Sequence, residues 1–150
     1  MSPSTPKVYR KLIQSCKHFF IKNPIIILSD VYYYNGDGNN FRTYENNVGK
    51  NIDYNNLSSK FWIINSFDAE TMDSNDHPIE AVVSSIICKL YKCDIKDLRL
   101  RNQKIKYDDL MLLSSNVEDV VLNWVNVYRN GNIIPFEQIV EAFPKAEKIQ

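Results

Sequence analysis

The chain has 150 residues and a mass of 17.5 kDa, about one domain's worth, which excludes a long multidomain organisation. Its 18 Lys+Arg balance 18 Asp+Glu for a formal net charge of zero, so nothing in the overall charge favours a general electrostatic grip on nucleic acid or on an anionic membrane. With 44% apolar and 12% aromatic residues it can bury a core, and a wholly disordered chain is excluded.

No run approaches the roughly 18–20 apolar residues that a membrane-spanning helix needs. The longest candidate, Pro24 to Val31, is broken by Ser29 and Asp30. The first six residues hold no apolar stretch of the secretory type, so the expected location is intracellular, cytoplasmic or nuclear. Cys16, Cys88 and Cys93 are an odd number without CxxC spacing, which predicts reduced thiols rather than a disulfide framework or a zinc site. Cys16 and Cys88 fall on apolar helical faces and are expected to be buried as small hydrophobes. His18 and His77 complete no metal-ligand set, and no cofactor is implied. Gly36-Asp37-Gly38 leads into Asn-Asn-Phe rather than a helix and reads as a turn, not a phosphate loop. Asp108-Asp109 and Glu118-Asp119 read as solvated. The remaining reactive candidates, Cys93 and His77 in the loops flanking a long helix, have no orienting base in the pattern, so the expectation is that the chain is not an enzyme.

In chain order, residues 7–22 carry Tyr9, Leu12, Ile13, Cys16, Phe19 and Phe20 at helical spacing, which predicts an amphipathic helix. It stops at Asn23-Pro24, because the residue before proline is biased away from helix. Ile25 to Leu28 reads as a buried strand, Tyr34 to Ser59 as loop or irregular strand, and Lys60 to Phe67 as a second strand followed by a polar linker to Asp76. His77-Pro78 then opens a helix whose apolar face is Ile79, Val82, Val83, Ile86, Ile87 and Leu90, with proline suited to the first turn.

The next segment repeats. Ile95, Leu98, Leu100 and Ile105 recur as Val117, Val120, Leu122 and Val127, 22 residues on. The shared L-x-x-L-x-L-x-x-N-x-L template, with aliphatic substitutions, is the leucine-rich-repeat consensus, whose usual period is roughly 20–29 residues. Gln103 and Val125 stand at the consensus asparagine. Alternation sends Leu98, Leu100, Val120 and Leu122 inward, and each strand is followed by a covering element: Tyr107 to Leu113, then Ile134 to Phe143, which ends at Pro144. A third unit is suggested at Ala146 to Ile149. The expected fold is therefore α/β: a short leucine-rich-repeat-like solenoid with parallel strands and convex helices, preceded by an N-terminal amphipathic helix. Residues 25–150 form the repeat region, with units 95–116 and 117–145. The end at Gln150 reads as an array cut short.

Val8 to Pro24, Leu90 to Leu98 and Val117 to Pro144 together resemble the F-box proteins expanded in nematodes, in which an F-box precedes a divergent leucine-rich-like region. The resemblance implies a substrate receptor of an SCF-type ubiquitin ligase. Residues 1–24 would be the remnant of the last F-box helix, with Tyr9, Leu12, Ile13 and Phe19 docking the Skp adaptor. The Leu-Pro opening and the earlier F-box helices have no counterpart in this sequence.

On stacked strands about 4.8 Å apart, outward positions pair as Asp97 with Asp119, Arg99 with Val121, Arg101 with Asn123 and Asn102 with Trp124. These eight residues are the expected protein-binding surface, with Arg99, Arg101 and Trp124 as anchors because Arg and Trp dominate binding hot spots. The alternative is a nucleic-acid surface built on the basic cluster Lys96, Arg99, Arg101, Lys104 and Lys106, diluted by Asp94, Asp97, Asp108 and Asp109.

Overall fold

A computed structural model describes residues 5–16, 18, 21, 24–34, 40–45, 48–53, 56–72 and 82–150. Helix α1 spans Pro6–Ser15. Thr5 caps it by accepting the Val8 N–H at 3.2 Å, and Pro6 occupies the first turn, where its missing N–H is no loss. Strand β1 runs Ile25–Tyr34, β2 Asn40–Glu45, β3 Val48–Asn51 and β4 Lys60–Glu70; helix α2 follows at Val82–Ile87. Then come β5 Leu90–Cys93, β6 Asp97–Lys106, α3 Tyr107–Ser114, β7 Asp119–Arg129, β8 Asn132–Ile133, α4 Phe136–Glu141 and β9 Lys148–Ile149.

All strands join one nine-stranded sheet whose main order is β3-β2-β1-β4-β6-β7-β8. Five pairings are parallel (β1/β4, β4/β5, β4/β6, β6/β7, β7/β9) and three antiparallel (β1/β2, β2/β3, β7/β8). This corrects the solenoid. Such an array needs one strand and one cover per turn, all strands parallel and stacked in sequence order. Here β1 reaches its parallel neighbour β4 by way of two antiparallel strands rather than a convex helix, and β7 turns straight back into β8. The sheet is mixed, and the leucine-rich-repeat-like region is not the architecture.

The reasons are local. The Asn-rich stretch read as loop buries Phe41 and Thr43 on alternate positions while Arg42 and Tyr44 face solvent, the period-2 signature of a half-covered strand. Asn130-Gly131 links β7 to β8, with φ of 53° and 80° at the two central residues and Arg129 opposite Asn132. Positive φ at both centres is what a two-residue hairpin turn of type I′ requires, and Asn-Gly is the dipeptide that supplies it. Leu90, expected to be the last residue of a helix, opens β5 instead. β5 and β6 lie end to end along one edge of β4, bridged by Asp94 N–H to the Ile63 carbonyl at 2.8 Å and Lys96 N–H to the Asn65 carbonyl at 2.7 Å.

The two segments 22 residues apart do pair in parallel, with Leu98 opposite Val120 and Leu100 opposite Leu122. Their inward side chains join Phe67, Ala69 and Ile63 of β4 beneath Val83 and Ile86 of α2 and Leu110 and Leu113 of α3. A second, smaller core forms on the opposite side, where α1 lies on the sheet through Tyr9, Ile25 and Trp62, with Ile13, Ile27, Ile64 and Tyr91 around them. Tyr9 ties helix to strand: its hydroxyl donates to the Ile25 carbonyl at 3.0 Å and accepts the Ile25 N–H at 3.1 Å.

Candidate functional site

Beyond the patch covered by α1, no other described helix or strand packs on the outward face of β1, β4, β6 and β7, and strand register sorts its side chains into rows. Asp30, Ser66, Asp97 and Asp119 form one row; Tyr32, Asp68, Arg99 and Val121 the next; Tyr34, Glu70, Arg101 and Asn123 the third. The last member of each row and the Arg and Asp of β6 are residues expected from the repeat. Tyr32, Tyr34, Asp68 and Glu70 were missed, because β1 was stopped at Leu28 and β4 at Phe67. Their signal is the alternation itself: Val31 and Tyr33 are buried while Tyr32 and Tyr34 are not, and Phe67 and Ala69 are buried between Asp68 and Glu70.

The face is internally braced. Arg101 donates through Nη1 to Asp68 at 3.2 Å and to Glu70 at 3.3 Å, with its side chain 29% exposed. An anchor residue already committed to two carboxylates has less to offer a partner than the free Arg99, which is exposed and makes no ion pair among the described residues. Tyr32 and Tyr34 stack at 6.4 Å, nearly parallel. Asp30 accepts from Asn65 Nδ2 at 2.5 Å and Ser66 Oγ at 2.7 Å. Burial works to raise its pKa, but the hydrogen bonds from Ser66, Asn65 and Ser29 outweigh burial and hold it below the ordinary value. Asp68 goes the other way: burial lifts it and Glu70 adds to the lift, with Arg101 and Arg99 offsetting only part. Burial, Glu70 and Asp68 likewise raise Tyr32.

At the level of Asn102 and Trp124 both strands change phase. Asn102 has φ 54° and Trp124 φ 57°, and they sit at matching places between the Arg101/Asn123 and Gln103/Val125 pairs. A left-handed residue resets the alternation, so Leu98 and Leu100 are buried before the kink and Gln103 and Ile105 after it. Thr71 Oγ1 donates to the Asn102 carbonyl, and Gln103 Nε2 donates to the Ala69 carbonyl at 2.7 Å from a fully buried position. Trp124 is 88% exposed. Asparagine tolerates this backbone; for tryptophan it costs on the order of 1–2 kcal/mol, and no packing around 124 offsets it.

The remaining expectations fall as follows. Tyr9 is buried and Ile13 packs beside it, so the adaptor-docking face that the resemblance implies is turned onto the sheet; Leu12 is half-buried, and Phe19 lies outside the described residues. Cys16 and Cys88 are exposed, not buried as expected, because α1 and α2 end short of or at them, whereas Cys93 is buried. Burial pushes the Cys93 thiol up to about 11, the opposite of nucleophile activation. His77 and Gly36-Asp37-Gly38 lie outside the described residues. The basic cluster does not gather on one surface: Lys96 pairs with Glu118, Arg101 with Asp68 and Glu70, and Lys104 and Lys106 line a separate cleft. Among the described residues no helix is long and apolar enough to cross a membrane, and no group of three or more His, Cys, Asp or Glu is placed to hold a metal ion. In comparisons with family models, with curated proteins and with solved structures, none matches this chain.

Proposed function

We propose that the chain is a protein-interaction module without chemistry of its own, and that it takes its protein target on the open face of β1, β4, β6 and β7. The observation that carries this reading is Trp124, a large aromatic side chain held 88% exposed on a left-handed backbone. Strain of this kind persists where something other than packing selects the residue, and tryptophan is among the side chains enriched at binding hot spots. Arg99, exposed on β6 and without an ion pair among the described residues, is its polar counterpart; Asp97, Asn102, Asp119, Val121 and Asn123 supply the surround, and Arg101 holds Asp68 and Glu70 in place. Within this reading the resemblance to F-box proteins suggests a receptor that selects targets for ubiquitin transfer, with any Skp-type adaptor held by surfaces other than Tyr9.

The test compares quantitative affinity capture by the wild-type chain, Trp124→Gly, Arg99→Glu and a Val48→Ser control on β3. Trp124→Gly relieves the backbone strain, so its melting temperature should hold or rise, while target capture should fall by about tenfold or more. Arg99→Glu should weaken the same targets without unfolding the protein. Arg101→Glu is a poorer probe, because it breaks two internal ion pairs. Targets retained by both Trp124→Gly and Arg99→Glu at wild-type level would overturn this surface.

A further inference from the structure

A cleft of about 820 Å³ opens where β6 runs into α3 and β7 turns into β8; among the described residues Lys104, Lys106, Tyr107, Asp108, Arg129 and Ser84 line it. Its size falls within the roughly 300–1,000 Å³ typical of small-ligand sites. Three features set it apart from the braced sheet face. Lys104, Lys106 and Arg129 make no ion pair among the described residues, and Asp108 is the one acid among the described residues that line the cleft. The second acid at the start of α3, Asp109, is engaged by the Ser84 hydroxyl. Arg129 is positioned rather than loose, its guanidinium carbon 5.0 Å from the Tyr107 ring centroid, a cation–π arrangement that orients the group.

The strand ends meet at the cleft: Lys104 and Lys106 flank buried Ile105 on one face of the β6/β7 ladder, and Arg129, two residues past buried Val127, comes to it from the other, over Tyr107. Lys106 lies opposite Tyr128 in the β6/β7 ladder, one residue before Arg129, and Arg129 is the last residue before the Asn130-Gly131 turn. Gly131 also lines the cleft, and a Cβ built there meets nothing within 4 Å, so the turn leaves open space beside the cations. Two flexible ammonium groups and one planar guanidinium, with little acid to answer them, form the charge pattern that recognises phosphate.

We propose that this cleft binds a small phosphorylated ligand, with Lys104, Lys106 and Arg129 holding its phosphate oxygens. Neither Trp124 nor Arg99 is among the residues that line it, so the two readings stand or fall independently.

The test is calorimetric titration of the full chain at low ionic strength with sodium pyrophosphate, adenosine diphosphate, sodium sulfate and a single-stranded oligonucleotide. Pyrophosphate and adenosine diphosphate should bind saturably, and the Lys104→Glu/Lys106→Glu double variant should lose about tenfold or more in affinity. Trp124→Gly should bind pyrophosphate as the wild type does. If the double variant fails to fold by near-ultraviolet circular dichroism, Arg129→Gln gives the same reading, since it removes one exposed cation and leaves the buried core untouched. A higher affinity for adenosine diphosphate than for pyrophosphate assigns a nucleotide ester; the reverse order assigns the bare phosphate group; either supports the site. No heat with pyrophosphate or adenosine diphosphate, equal affinity for sulfate, or unchanged binding by the variants would overturn it. So would oligonucleotide binding that is tighter than both and falls steeply with salt, the mark of a nucleic-acid surface.

Discussion

Strands β6 and β7 have the same inward pattern, the same kink and a shared register, yet they lie in different places, and the contrast shows what a repeat in sequence does not carry. β6 is interior, with β4 on one side and β7 on the other. Two polar groups at its kink find partners: the Asn102 carbonyl takes the Thr71 hydroxyl, and the Gln103 amide reaches Ala69. Among the described residues β7 is flanked on its far side toward its two ends, by β9 and Gln150 from Asp119 to Leu122 and by β8 and Ile134 from Val127 to Arg129. Between them its kink places Trp124 in solvent. Interior position turns the left-handed residue into a hydrogen-bonded joint; edge position turns it into a displayed side chain.

The largest test of this contrast is a pair of matched truncations read by denaturant unfolding. Leu100 is fully buried and Leu122, its register partner, only half-buried. Leu100→Ala should destabilise by about 2–5 kcal/mol, and Leu122→Ala by less than half as much. Equal losses would mean that β7 is packed like an interior strand and that the distinction fails.

A smaller effect should come from the amide. Gln103→Leu strands the Ala69 carbonyl in the core and is expected to cost about 1–3 kcal/mol. Val125→Leu, which places the same side chain at the matched edge position, should stay within about 1 kcal/mol of wild type. If Gln103→Leu were neutral, the hydrogen bond to Ala69 would contribute nothing net to the joint.

The smallest and most pointed test is pH dependence, because Asp30 and Asp68 share the open face but shift in opposite senses. Asp30 is held low, so its contribution is present above its unfolded value and is lost as pH falls through the folded value. Asp68 is raised, so the fold favours its protonated form; that stability is present below the unfolded value and lost as pH rises through the folded one. Thermal melts should therefore show Asp30→Asn less stable than wild type near neutrality, with the gap closing in acid. Asp68→Asn should be no less stable near neutrality, and any gain should vanish below the ordinary carboxylate range of about 3.9. Parallel curves for the two variants would remove the asymmetry between an acid solvated by donors and one crowded by burial and a like charge.

Much of the local structure was legible. The 3.6-residue period marked α1; the alternation at Leu98/Leu100 and Val120/Leu122 marked two strands; and the spacing of 22 anticipated their pairing, down to Asp97 beside Asp119 and Arg99 beside Val121. Other signals were present and misread. Phe41 and Thr43 alternate inside an Asn-rich run whose composition reads as loop, and Asn130-Gly131, a dipeptide suited to a type I′ hairpin, falls unused inside the second repeat unit. Asp68 and Glu70 follow from extending the period-2 reading three residues past Phe67, whereas Tyr32 and Tyr34 do not follow from Leu28, because the register shifts between Leu28 and Asp30 and Val31 and Tyr33 take the inward side.

What the sequence determined by itself is which side chains alternate and which spacing repeats, because those depend on backbone geometry within a few residues. Which neighbour each strand acquires was decided only in the tertiary structure. β1 could meet β4 only after the chain had looped through β2 and β3, and α1 covers Trp62 rather than facing outward because Tyr9 bonds to Ile25. The same rank of choice made Arg101 a brace and left Arg99, Trp124 and the lysines of the cleft free. Long-range pairing sets exposure and charge compensation, and neither is written in the local pattern of a single strand.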